Sequence, residues 1–186
     1  MKKLVTLGAS AIVAALPVAG VFAATGTTVT DTVQVTINSA CTIESSQAAN
    51  TYSATMTNGQ LKSNFGSTTM SISCNDAAGW HVTAVGSGAD ATNKTAMNAT
   101  GAGTDIATGT ATSGATSNWA MKVTGGTATG FTTFSAVPSS ATDVAKSTVA
   151  TSQSEIVTTY QVFISATQQA DTYTGQVTYT LTHPAA

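Results

Sequence analysis

The side chains able to do chemistry in this 186-residue chain are few and widely spaced: two cysteines, Cys41 and Cys74, two histidines, His81 and His183, and eight carboxylates. The cysteines stand 33 residues apart, without the CxxC spacing of a redox pair or a histidine cluster to share a metal. In a chain read as exported, two lone cysteines predict a disulfide. Two imidazoles without a regularly spaced carboxylate do not assemble a metal centre, so neither metal nor cofactor is expected. Asp90, Asn93 and Asp105 could gather around a cation, but their irregular spacing reads as solvated loop. No GxSxG elbow, HExxH pair, phosphate loop or EF-hand loop is present, and no catalytic residue is expected. The acids near strand ends, Glu44, Asp76, Glu155 and Asp171, would serve glycan cleavage only if two faced each other across a cleft of about 5 to 9.5 Å. Trp80 lies in phase with strand residues and reads as core; Trp119, among loop-like neighbours, is the weaker core candidate.

Composition narrows the classes further. Lys2 and Lys3 precede an apolar run from Leu4 to Phe22, and Val21 and Ala23 are the small residues a signal peptidase needs. Cleavage is expected between Ala23 and Ala24, leaving no membrane anchor once residues 1–23 are removed. Residues 24–186 then carry 4 Lys, no Arg and 8 acids, a formal charge of −4. Such a surface cannot neutralise a row of phosphates, which excludes nucleic acid as a partner. Thr supplies 38 of the 186 residues. Its β-branch favours extended backbone while its hydroxyl stays hydrated, as the solvent side of a sheet requires.

The elements that must position these groups read as strands. Tyr173, Gly175, Val177, Tyr179 and Leu181 share one face of a last strand, with Thr174, Gln176, Thr178 and Thr180 on the other. Ile156 to Ile164 repeats the alternation upstream, and the two predict a terminal hairpin. Met70, Ile72 and Cys74, followed across Asn75 to Gly79 by Trp80, Val82 and Ala84, predict a second. Residues 27–43 read as the first strand, with Val29, Val33, Val35 and Ile37 on one face, and Tyr52 to Met56 as a short strand. Asn58 with Gly59 is a turn signal, and pattern returns at Trp119, Met121 and Val123. From about 86 to 118 small and polar residues dominate and predict a long surface excursion; 137–153 reads as a polar connection. Together these predict a single all-β domain over 24–186, an immunoglobulin-like or Greek-key β-sandwich of about seven to nine strands.

The C-terminal run TYQVFISATQQADTYTGQVTYTLTHP resembles the end of the WxL-domain surface proteins of Gram-positive bacteria. There a Tyr-Thr-Gly turn leads into a last strand carrying Trp-x-Leu and then Pro; here Tyr179 stands in place of Trp, with Thr180 and Leu181 following. Gly79 to Val82, GWHV, matches the earlier Trp-x-aliphatic motif. The resemblance implies a non-enzymatic, exported cell-surface protein that binds a cell-wall polymer or other surface proteins noncovalently, with Trp80, Val82, Tyr179 and Leu181 as its motif residues.

A second resemblance is to chaperone-usher fimbrial subunits and the related spore coat protein U domain, carried by Cys41 on an early strand, Cys74-Asn75 ending a later one, and the alternating N-terminal segment. It implies an immunoglobulin-like structural subunit and homo-oligomer in which an N-terminal extension fills a neighbour's groove by strand addition. The two cases differ in where Thr27 to Ile37 goes: into the domain's own sheet, or out of it, leaving an apolar edge. Only 17 residues separate the expected cleavage site from Cys41, which argues for the domain's own sheet and a self-complemented monomer.

Overall fold

The computed structural model describes residues 32, 34–46, 52, 54–110 and 112–183. The expected cleavage point between Ala23 and Ala24, together with Val29, Val33 and Pro184, lies outside them. The chain divides into two compact units, Met1–Thr36 and Ile37–Ala186. Of the first, only Thr32, Gln34, Val35 and Thr36 are described, and none is in a strand.

The described residues form no helix and ten strands: β1 (Cys41–Ser45), β2 (Leu61–Cys74), β3 (Trp80–Gly86), β4 (Asn98–Ala99), β5 (Ala107–Thr108), β6 (Asn118–Gly125), β7 (Thr142–Ser147), β8 (Thr151–Phe163), β9 (Tyr173–Thr174) and β10 (Val177–Thr182). The expected all-β class is observed. One sheet has the order β1-β2-β8-β6-β5, antiparallel except for β5 beside β6; a second has the order β10-β3-β7, and β4 pairs with β9. Period-2 alternation gives each larger sheet one apolar face. Met70 and Ile72 of β2, Trp80 and Val82 of β3, Met121 and Val123 of β6, Val144 of β7 and Ile156 of β8 join in one buried core. Each fully buried Ile or Val there contributes about 1.5 to 3 kcal/mol.

Both expected hairpins are corrected by the pairing. β2 and β3 belong to different sheets, as do β8 and β10; the short connections Asn75 to Gly79 and Ile164 to Thr172 arch from one sheet to the other. The first arch depends on Gly79, at φ +87°, where an added Cβ would lie 2.0 Å from the Ser147 carbonyl oxygen. The last strand is also interrupted at Gly175 and Gln176, so β9 pairs with β4 while β10 pairs with β3.

Four further expectations are corrected. Of the expected first strand 27–43, residues 27–31 and 33 lie outside the described residues, Thr32 and residues 34–40 are in no strand, β1 starts at Cys41, and Val35 and Ile37 are 78% and 81% exposed. Tyr52, and Ala54 to Met56, form no strand. The 86–118 excursion is more than surface, because Met97 and Ile106 bridge to each other and enter the core. Within 137–153 lies an unforeseen strand, β7, whose adjacent Val144 and Ala145 are both fully buried. A register shift opposite Val82 and Thr83 turns both inward, breaking the alternation that would have announced the strand.

The expected disulfide joins Cys41 to Cys74, directly opposed residues of β1 and β2. β1 is a short edge strand, so this cross-link holds it to the sheet. Replacing both cysteines with Ala is expected to lower unfolding stability by about 3.5 to 4 kcal/mol on the chain-entropy model. The shift in denaturant midpoint, read beside an unchanged slope, measures it.

Candidate functional site

β1 and β10 are edge strands of the two larger sheets and lie beside each other. Between the sheets on that side runs a groove of about 1080 Å³. Ile43 of β1, Met70 and Phe65 of β2, Tyr160 and Val162 of β8, Trp119 of β6, and Val177 and Tyr179 of β10 line it. The contrast between neighbouring strands is the central observation. Along β3 every second residue is fully buried, whereas the inward residues of β10, Val177, Tyr179 and Leu181, reach only intermediate burial. Thr178, Thr180 and Thr182 take the solvent side as expected.

Aromatic rings dominate the groove. Trp119 stacks on Tyr160 at 6.1 Å between centroids, and Tyr52 meets Tyr160 from another side at 6.1 Å. The Trp119 indole N–H donates to the Thr95 carbonyl at 2.8 Å, and Gly175 lets the chain pass close over the ring, where a Cβ would come within 2.8 Å of it. The Tyr160 and Tyr179 hydroxyls lie 3.0 Å apart. Burial among these groups raises the Tyr160 pKa and pushes Tyr179 well above the ordinary phenol value.

One end of the lining, residues 168–177, is fastened by a carboxylate. Asp171 accepts hydrogen bonds from the N–H groups of Gly103 (2.9 Å), Thr172 (2.7 Å) and Gly101 (3.0 Å), and from the Thr100 hydroxyl (3.1 Å). The Gly103 and Thr172 amides lead in holding its carboxyl below the usual carboxylate range. Asp105, lowered chiefly by the Ala99 N–H and then by Asn98, plays the same part within the excursion.

The positions singled out by sequence fall in different places. Trp80 and Val82 are buried in the core, so of the four motif residues only Tyr179 and Leu181 border solvent. Trp119 is also buried, on a strand. Asn93 and Asp105 meet at 3.3 Å while Asp90 caps Thr92, and these carboxylates accept from the loop's own donors. His81 pairs with Asp143 at 2.8 Å on the surface, and His183 lies 3.4 Å from Asp76. Glu44 and Glu155 flank Ser71 on the exposed side of their sheet, and Asp171 alone of the four strand-end acids lines the groove. Sequence reading did not single out Tyr52, Phe65 or Tyr160 as site residues. Only Tyr160 carried a signal, its place in the alternation of Ile156 to Ile164.

Comparison with protein-family models, curated proteins and solved structures finds no match for this chain.

The phenol shifts carry a pH dependence. The folded state holds the Tyr160 and Tyr179 protons more tightly than the unfolded chain, so their stabilisation is complete below about pH 10 and is lost as pH rises through the folded values. Unfolding stability measured between neutral pH and pH 11 should fall on the alkaline side, and more shallowly in a Tyr160→Phe, Tyr179→Phe variant.

Proposed function

We propose that the protein is a non-enzymatic structural subunit of a bacterial surface assembly, fimbrial or coat-like, whose groove receives residues 24–37 of a second copy as an added strand. The incompletely covered inward face of β10, with its unpaired outer edge, carries this reading. An edge strand presents unpaired main-chain donors and acceptors, and an extended segment laid along it satisfies them while its alternate side chains fill the space between the sheets. Val29, Val33, Val35 and Ile37 have the required alternation in sequence. Val35 and Ile37 are exposed, so neither of these two apolar side chains is spent on the core described above. A donor segment at one place and a groove at another make a heterologous contact, which propagates into a chain of copies. The leader-like residues 1–23 fit export to the cell surface before assembly.

A cell-wall polymer or another surface protein is the competing partner. With Trp80 and Val82 buried, that contact falls to Tyr179 and Leu181 beside the same groove.

A labelled peptide of residues 24–37 should bind the purified protein saturably and raise its melting temperature, as any ligand of the folded state does. The same peptide with Val33→Asp and Val35→Asp should not bind, because it would carry charge into an apolar groove. Absence of peptide binding, combined with sedimentation of the protein on isolated cell walls at moderate salt, would move the assignment to the wall polymer.

A further inference from the structure

Strand addition, if it operates as proposed above, leaves a mechanical question: how one copy is joined to the next. Only Asn38, Ser39 and Ala40 lie between Ile37 and Cys41. At 3.3 to 3.6 Å per extended residue, that connection spans about 14 Å at most from Ile37 to Cys41. The disulfide end of each copy must therefore sit against the rim of the groove its own segment fills.

These three residues are not a loose tether. The Asn75 side chain accepts a hydrogen bond from the Ala40 N–H at 2.6 Å and donates another to the Asn38 carbonyl at 3.1 Å. The Asn75 N–H donates in addition to the Ala40 carbonyl at 3.1 Å, continuing the β1–β2 register one residue beyond the disulfide. Asn75 is itself well anchored. It follows Cys74, cross-linked to Cys41, and precedes a turn in which Asp76 accepts from the Ala78 N–H at 2.8 Å and from the Gly79 N–H at 3.0 Å. Although exposed, it spends both ends of its amide on the connection.

We infer that Asn75 is the positioning residue of a stiff joint between consecutive copies of this chain: it holds residues 38–40 as a continuation of β1, and so sets the angle at which each subunit meets the next. The inference rests on the strand-addition reading but not on any groove residue, since Asn75 does not line the groove. Alanine at this position keeps the main-chain bond and loses both side-chain bonds. Aspartate keeps an acceptor for the Ala40 N–H and loses the donor to Asn38.

Polymers assembled from the purified protein and from its Asn75→Ala and Asn75→Asp variants would be compared by electron microscopy, with persistence length as the readout. The peptide of residues 24–37 should bind all three equally. Asn75→Ala polymers should show a persistence length reduced severalfold, Asn75→Asp polymers an intermediate one, and the Ala40 amide of Asn75→Ala should exchange hydrogen faster. Polymers of Asn75→Ala as stiff as the unmodified ones, with peptide binding intact, would overturn the joint alone. Failure of the unmodified protein both to bind the peptide and to polymerise would overturn strand addition and the joint with it.

Discussion

A β-strand with one apolar side must have that side covered, and the covering element has to come from somewhere. The core met by β2, β8 and β6 on one side and by β3 and β7 on the other satisfies this requirement over most of the molecule, which is why Ile72, Val82, Met121, Val123, Val144 and Ile156 are fully buried. Along β10 the requirement is met only in part. β3 pairs with one lateral edge of that strand, but no described strand pairs with the other, and Val177, Tyr179 and Leu181 stay partly exposed. The groove, its aromatic lining and the raised phenols of Tyr160 and Tyr179 follow from that local shortage of cover.

Natural sheets protect exposed edges with charge, proline or short strands, because an unprotected edge recruits other strands. β1 is short and carries Glu44 outward, yet Ile43 faces the groove. β10 presents only Thr outward and no charge from Val177 to Thr182. Edges so lightly protected leave main-chain groups open to a further strand. The excursion contributes in another way: Met97 and Ile106 extend the core beneath it, and Asp171 fastens its backbone amides to residues bordering the groove. A segment of small and polar residues thus has a defined place without a core of its own.

Much of this was legible in the residues. The alternation of Met70, Ile72 and Cys74, of Trp80, Val82 and Ala84, and of Ile156 to Ile164 identified strands and their buried sides, because side chains on extended backbone point alternately to opposite faces. Two lone cysteines in a chain whose first residues read as a leader pointed to the disulfide, and scattered acids and histidines offered no constellation of recognisable spacing. The groove was not legible, since its walls come from residues as far apart as Ile43 and Tyr179.

What sequence alone determined, then, was the all-β class, the apolar side of most strands and the pairing of Cys41 with Cys74. Tertiary structure decided which strands share a sheet. Two consecutive strands with apolar sides can lie edge to edge or face to face, and both arrangements bury the same residues. The period of two is identical in each case, so Asn75 to Gly79 and Ile164 to Thr172 read as hairpin turns although they are arches between sheets. It also decided the place of residues 34–40: an alternating segment states that it needs a partner surface, but whether its own domain has room beside it depends on every other strand.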